Sequence, residues 1–221
     1  MADVPQISYA NELARKGIHL LSLLIPIIYL NIDTQTALLI LVPMTVVAIA
    51  IDALMYFHGP TRKRMHAMVG SMLRSHERDT NRFLLTGASW VLIAATMVVA
   101  LFPKVIAVTA FTILIVSDTF AALVGRRWGR HRFLDKSLVG TATFIATAVV
   151  CVVVYDVIYA LPPTFVLAGC LGSVVGGVVE AASIRLRLDD NLSIPGSIAL
   201  VMLGIDLLLP LFSLPTFSKA L

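Results

Sequence analysis

Glu12, Arg15, Lys16 and His19 recur at i, i+3, i+4 and i+7, the spacing that lines up one face of a helix. The residues that follow, LLSLLIPIIYL, are apolar enough to lie in a bilayer. Arg15 and Lys16 are cations suited to phosphate oxygens. Glu12 is spaced to hold them in place, and His19 to donate to a phosphate or a hydroxyl. Further acidic groups stand where other apolar runs end: Asp118 in IVSDTFAALVGRRWG, Glu180 in LGSVVGGVVEAAS, and Asp189, Asp190 and Asn191 in LRLDDNLSIPG. An ionised side chain at the bilayer centre costs roughly 2.5–3.5 kcal/mol on insertion scales, and less near the interface. Asp118 is followed at helical spacing by Ala121, Ala122 and Gly125, and Glu180 follows Gly172 and Gly176 at four-residue steps. Such small residues let a second helix or a ligand approach, so both carboxylates are expected to face a bundle interior. Together, Asp118, Glu180, Asp189 and Asp190 offer the oxygen donors that Mg²⁺ takes when it bridges substrate phosphates. The alternative is buried ion pairing with Arg15, Lys16 or Lys136.

The stretch GRRWGRHRFLDKSLVGT, residues 125–141, carries five cations and three glycines. Glycines admit phosphate oxygens to backbone amides, and Arg and Lys neutralise them. Gly125, Gly129, Lys136, Ser137 and Gly140 are therefore candidate phosphate contacts. The stretch is not a Walker A loop, because Asp135 rather than glycine precedes Lys136. Arg126, Arg127 and Arg130 read rather as an ordinary positively charged inner loop, a reading that fits Lys136 and Ser137 less well.

These groups need membrane helices to position them. Of the 221 residues 58% are hydrophobic and only 14% charged, with mean hydropathy +0.92, against about 25% charged in soluble domains. The reading is a single all-α polytopic membrane bundle over 1–221. A span needs roughly 20 mainly apolar residues, and seven candidates emerge at 17–31, 35–57, 83–102, 104–124, 138–161, 164–183 and 196–214. With the N-terminus cytoplasmic, fifteen of the seventeen Lys and Arg fall in inner segments and only Lys104 and Lys219 outside, as the positive-inside rule requires. The acidic and basic candidates then share the cytoplasmic side. Within 60–78, Met65, Met68, Val69, Met72 and Leu73 mark one apolar face against a basic one. That pattern predicts an interfacial helix, either an anchor or a gate for a lipid. Net charge of +4 follows from the same asymmetry, and no nucleic-acid pattern accompanies it. Cys151 and Cys170 lie in apolar runs and read as core residues. MADVPQ lacks a basic start, so no cleavable signal peptide is expected.

Five motifs in order carry a resemblance: E-x-x-R-K-x-x-H at 12–19, H-E-R-D…L-T-G-A at 76–88, S-D-T-x-A-A-x-x-G-R-x-x-G at 117–129, K-S-x-x-G-T at 136–141, and V-E…D-D-N-L-S-I-P at 179–195. Together they resemble the CTP-dependent polyprenol kinase family, which includes dolichol kinase, phytol kinase and CTP-dependent diacylglycerol kinase. The sequence departs from the family pattern at Ser117, Asp135 and Val139. The resemblance implies transfer of the γ-phosphate of CTP to the hydroxyl of an isoprenoid alcohol (phytol, farnesol, geranylgeraniol, dolichol or undecaprenol) or of diacylglycerol, with Mg²⁺ or another divalent cation.

On that resemblance Asp118, Lys136 and His19 are catalytic. Arg15, Lys16, Gly125, Gly129, Ser137, Gly140 and Asn191 bind nucleotide phosphates, and Asp118, Glu180, Asp189 and Asp190 hold the metal. Expected partners are the lipid alcohol, the nucleotide and membrane lipids; a homo-oligomer is left open. Two other classes stand as alternatives. A phosphatidate cytidylyltransferase-like enzyme would also use CTP, but the P-G-H-G-G and D-R-x-D elements are absent. A transporter usually buries its carboxylates near the midplane, whereas these are one-sided. Asp206, inside the last span, matches no motif.

Overall fold

The computed structural model describes residues 9–61, 63, 64, 83–186 and 188–221, with side chains from residue 13 onward. It is a helical bundle. Six segments are long and apolar enough to cross a membrane: Leu13–Leu30, Thr34–Phe57, Lys104–Trp128, Leu138–Tyr159, Pro163–Leu186 and Asp190–Phe212. A seventh apolar helix, Gly87–Leu101, has 15 residues, about 22 Å of rise against a hydrocarbon core of roughly 30 Å.

The first expected span is two helices, α1 (Tyr9–Leu21) and α2 (Leu24–Leu30). Pro26 cannot donate a backbone hydrogen bond, and its ring crowds the carbonyl four residues earlier. The chain responds with short-range bonds, from the N–H of Ser22, Leu23 and Ile25 to the carbonyls of His19, Leu20 and Ser22, each at 3.0 Å. Asp33 then caps α3 (Thr34–Phe57), accepting from the Thr36 N–H at 3.0 Å and its hydroxyl at 2.6 Å. The hydroxyl bond and then the amide bond hold the Asp33 carboxyl below its usual range.

The third expected span, 83–102, is shorter than its hydropathy: α4 covers only Gly87–Leu101. The physical reason is at its start. Thr86 is the N-cap, and the Asp52 carboxylate from α3 accepts from the Thr86 N–H at 2.9 Å, which fixes the first turn there. Phe102 and Pro103 make the tight connection to α5 (Lys104–Trp128).

After α5 comes a hairpin that hydropathy did not reveal: β1 (Arg132–Phe133) pairs antiparallel with β2 (Lys136–Ser137). Its turn holds Leu134 in the left-handed region at φ 53°, a conformation unfavourable to a residue with a side chain. Asp135 fastens the turn to the end of the next-but-one helix, donating its N–H to the Ala181 carbonyl at 2.9 Å and accepting from Arg185 N–H and Nε at 3.0 and 2.9 Å. Ser137 caps α6 (Leu138–Tyr159) by accepting from the Gly140 N–H at 3.1 Å. Then follow α7 (Pro163–Leu186) and α8 (Asp190–Leu208), which ends in a 3₁₀ turn at Leu209–Phe212. The last span begins six residues before the expected 196. Asp189 caps it at Asn191, and Pro195 lies inside the helix; membrane helices accommodate such prolines.

The core surrounds α5, whose buried residues run all round the helix from Val105 to Ala121, as a helix enclosed on every side requires. It packs against α1, α2, α4, α6 and α8. By contrast, α3 leans mainly on α4, and α1–α2 mainly on α5, so the two layers leave a crevice between them. At the end of the bundle where α2 ends and α5 begins, Lys104 Nζ donates to the Leu30 carbonyl at 3.0 Å. Asp206 now has an account: it is 3% exposed and accepts from the Phe217 and Ser218 N–H groups at 2.7 and 3.3 Å. It anchors the C-terminal tail, whose buried Phe217 ring meets Phe165 edge-on at 5.6 Å. Most of the interfacial helix expected within 60–78, with Met65, Met68, Val69, Met72 and Leu73, lies outside the described residues, as do 76–82 of the second motif and the side chain of Glu12.

Candidate active site

Of the polar stripe of α1, Lys16 and His19 face inward. Lys16 is 2% exposed and its ammonium donates to Asp118 Oδ2 on α5, as well as to the Asp118 carbonyl at 3.3 Å. One turn further on, His19 Nε2 stands 3.7 Å from the same Oδ2. A second charged group forms where β2, α7 and α8 meet. Lys136 Nζ donates to Glu180 Oε1 at 2.6 Å and to Asp190 Oδ2 at 3.0 Å. Burial pulls the Lys136 ammonium pKa down, but the carboxylates of Asp190, Glu180 and Asp118 outweigh it and raise the pKa above its ordinary value. Asp118 is thus close enough to act on Lys136 through space, and the two groups belong to one electrostatic site.

Local chemistry explains why the sequence places these side chains here. The kink before Pro26 ends α1 just beyond His19. The ties of Asp135 to α7 hold the hairpin that carries Lys136. Asp189 accepts from the Asn191 N–H at 2.9 Å and from its side-chain Nδ2 at 2.8 Å, so the cap of α8 fixes Asp190 and Asn191 at its first positions.

The candidate phosphate glycines sit in close packing. A Cβ on Gly125 would meet Ser137 Oγ at 2.8 Å and Gly140 Cα at 3.1 Å, and one on Gly129 would meet the Gly125 carbonyl at 2.2 Å and Ser137 Cβ at 2.5 Å. Gly140 would meet Ser137 Oγ at 2.9 Å and the Ala121 carbonyl at 3.2 Å. The absence of side chains at these three positions lets α5 and α6 close around Ser137, whatever else the glycines do.

The four candidate metal carboxylates divide between partners. Asp118 is held by Lys16, Glu180 and Asp190 by Lys136, and Asp189 caps its helix. Among the described residues no three His, Cys, Asp or Glu converge as a metal cluster. The ion pairing weighed as the alternative is therefore realised twice. Yet among the described residues Glu180 Oε2 is buried without a hydrogen-bond partner, and so are Ser117 Oγ, Thr141 Oγ1 and Ser193 Oγ. All four belong to the motif segments 117–129, 136–141 and 179–195. Leaving such a group unpaired costs about 1–3 kcal/mol, so each of them needs a partner such as an ordered water or an ion. Glu180 and Asp190, which share Lys136, are the two carboxylates that could serve a divalent cation, which takes one or two from a protein with phosphate and water supplying the rest.

A cavity of about 750 Å³ opens between α1–α2, α3 and α4. Its walls are mostly apolar, including Ile25, Ile28, Leu41, Met44, Ile51 and Leu92, and at one end it is lined by Arg15, His19, Asp118, Asp190 and Asn191. Asp52, Thr86 and Ser89 also line it. Spacing did not single out Asp52: one Asp in an apolar run carries no periodic partner, and its signal is burial, at 4% exposure.

No family model matches the chain, and no solved structure matches it. An uncharacterized protein of Rickettsia prowazekii is 30% identical over 191 residues, 86% of this chain and 92% of the relative. The CTP-dependent diacylglycerol kinase 1 of Schizosaccharomyces pombe is 30% identical over 152 residues, 63% of this chain and 67% of the relative. That match agrees with the five ordered motifs and with a charged cluster at the end of an apolar cavity, and the chain belongs to the family of this CTP-dependent diacylglycerol kinase.

Proposed function

We propose that the protein is a membrane lipid kinase that transfers the γ-phosphate of a nucleotide, CTP by its likeness to the S. pombe kinase, to the hydroxyl of a lipid alcohol. The observation that carries this reading is the cavity: apolar along its length and charged at one end. Its volume suits one small lipid, and its polar end meets the cations that phosphates need. The positive-inside asymmetry supports placing that end on the cytoplasmic face.

In this reading the tail lies between α1–α2 and α3 and presents its hydroxyl to the charged end. The alcohol oxygen forms a bond to the γ-phosphorus while the bond from that phosphorus to the leaving diphosphate oxygen breaks. The nucleoside diphosphate departs, and the alcohol proton passes to a carboxylate facing the cavity. Such transfers depend on positioning and charge neutralisation. Arg15, Lys16 and Lys136 neutralise the phosphates, Asp118 holds Lys16 and His19 in line, and Asn191 takes a phosphate or ribose oxygen. Glu180 and Asp190 would hold a divalent cation, which neutralises phosphate charge when bound.

The test uses purified protein in detergent with Mg²⁺, prenols and diacylglycerol, and CTP labelled at the γ or the α phosphate. Label from the γ position enters the lipid fraction, and the labelled lipid names the substrate. Asp118→Asn, which preserves the shape but not the charge facing Lys16, lowers the rate about a hundredfold or more. Label from the α position in lipid when phosphatidate is added would instead make the protein a cytidylyltransferase. An Asp118→Asn protein with the full rate would remove Asp118 from the site.

A further inference from the structure

Asp52 belongs to neither charged group, yet it is a carboxylate taken almost wholly out of water. Three hydrogen bonds reach it, from the Thr86 N–H at 2.9 Å, the Thr86 hydroxyl at 3.3 Å and the Ser89 hydroxyl at 2.6 Å. All three fall on Oδ2. Oδ1 has no hydrogen-bond partner among the described residues, and Asp52 lines the cavity. A carboxylate offers about four acceptor positions, and the described residues use only those of Oδ2. Thr86, Gly87, Ala88 and Ser89, the start of α4, line the same cavity. The segment L-T-G-A that the sequence marks thus holds a carboxylate of the cavity wall by one of its two oxygens.

We infer that Asp52 is the residue that binds the hydroxyl of the lipid alcohol, its Oδ1 accepting the alcohol O–H from within the cavity. The inference rests on the lipid kinase reading. It assigns the acceptor to a wall of the cavity opposite the nucleotide cations: α3 and the start of α4 hold the alcohol, while α1, α5, β2 and α8 hold the phosphates. The bond orients the hydroxyl's lone pairs away from Asp52, and as the oxygen–phosphorus bond forms the proton has Oδ1 as its destination. Asp118 is less suited to that role, because Lys16 already donates to it.

Asp52→Asn separates this function from folding. The Thr86 N–H and Ser89 hydroxyl still need an acceptor, so the amide turns its carbonyl oxygen toward them and its NH₂ toward the cavity. The cap of α4 is kept, and the cavity-facing acceptor becomes a donor. The experiment titrates farnesol and 1,2-dioctanoylglycerol into the full-length protein in detergent, read as thermal stabilisation without nucleotide. Initial rates of phosphate transfer are measured in parallel. The unsubstituted protein is stabilised by at least one alcohol. Asp52→Asn requires at least about tenfold more of it, and in the transfer assay shows a raised KM for the alcohol with the KM for CTP unchanged. Equal stabilisation and equal rates in the two proteins would overturn the inference, as would no stabilisation of the unsubstituted protein by either alcohol, or an Asp52→Asn defect that falls on CTP as much as on the alcohol. If the unsubstituted protein binds the alcohol but transfers no phosphate, the kinase reading fails, and the stabilisation by alcohol still decides the role of Asp52.

Discussion

At the scale of single residues the site is governed by one cation shared between two acids. Lys136 is held by Glu180 and Asp190 at 2.6 and 3.0 Å, and its pKa is raised because the carboxylates outweigh its burial. The sign of the pH effect follows. A base whose pKa is higher in the folded state contributes stability in full below its ordinary value, and loses it only as pH climbs through the raised one. Lys136 therefore stays an ammonium across pH 6–9, and neither stability nor rate changes there on its account. A pH–rate profile is expected to show no limb in that window that moves on Lys136→Arg; such a limb would mean that the lysine titrates and that the acids do not control it. Lys136→Met is the harsher test. It strands two carboxylates, one of them buried, and breaking a buried pair costs about 3–5 kcal/mol, so thermal unfolding is expected well below that of Lys136→Arg, with phosphate transfer lost in the Met protein.

At the scale of elements, the crossing of α5, β2 and α6 separates two uses of glycine. If Gly129 serves packing, an added methyl must displace the Gly125 carbonyl or Ser137, and overpacking of this kind costs about 1–3 kcal/mol. Gly204 in α8 has nothing within 4 Å of a built Cβ, and alanine there is expected to stabilise the helix by about 0.5–1 kcal/mol. Unfolding midpoints should fall for Gly129→Ala and hold or rise for Gly204→Ala. A Gly129→Ala protein of unchanged midpoint that loses only nucleotide affinity would favour phosphate contact over packing. The same crossing shows what the sequence could and could not convey. Long apolar runs and charge asymmetry are summed over twenty residues, so the helices were legible, and the inward placing of Lys16 and His19 on α1 was legible from its period. Hydropathy could not report the break in the first span, because the residues on both sides of Ser22 and Leu23 are equally apolar; Pro26 alone marks it. The shortened α4 was invisible for a different reason: its start is set by Asp52, thirty-four residues away in sequence. Which acid meets which cation depends on how helices are rotated against each other, so the spacing of Asp118, Glu180 and Asp190 identified the participants but left the pairing of Lys16 with one and Lys136 with the other two undecided.

At the scale of the whole molecule, the lipid kinase reading makes the loosely packed side of the bundle a ruler. The wall that α3 contributes runs from Asp52 to Ala37, both lining the cavity, fifteen steps of about 1.5 Å or roughly 22 Å. The opposite wall, α1–α2, packs mainly on α5, so in the lipid kinase reading the space between the walls belongs to the tail. Chain length should then be read by how far a tail can travel from the charged end. Ala48 lies one turn from Asp52, about 6 Å along the axis, and Ala37 lies at the far end; both are cavity residues. Phenylalanine at 48 should bar every tail longer than a few carbons, raising the KM for dioctanoylglycerol and farnesol alike by about tenfold or more, the worth of one to three kcal/mol of lost burial. Phenylalanine at 37 leaves most of the space open, so it should leave farnesol nearly untouched and penalise only geranylgeraniol and longer alcohols. The KM for CTP should move in neither protein, since both positions are on the wall away from Lys16 and Lys136. If the two substitutions shift all alcohols equally, the tail does not lie along α3 and the cavity is not the lipid site.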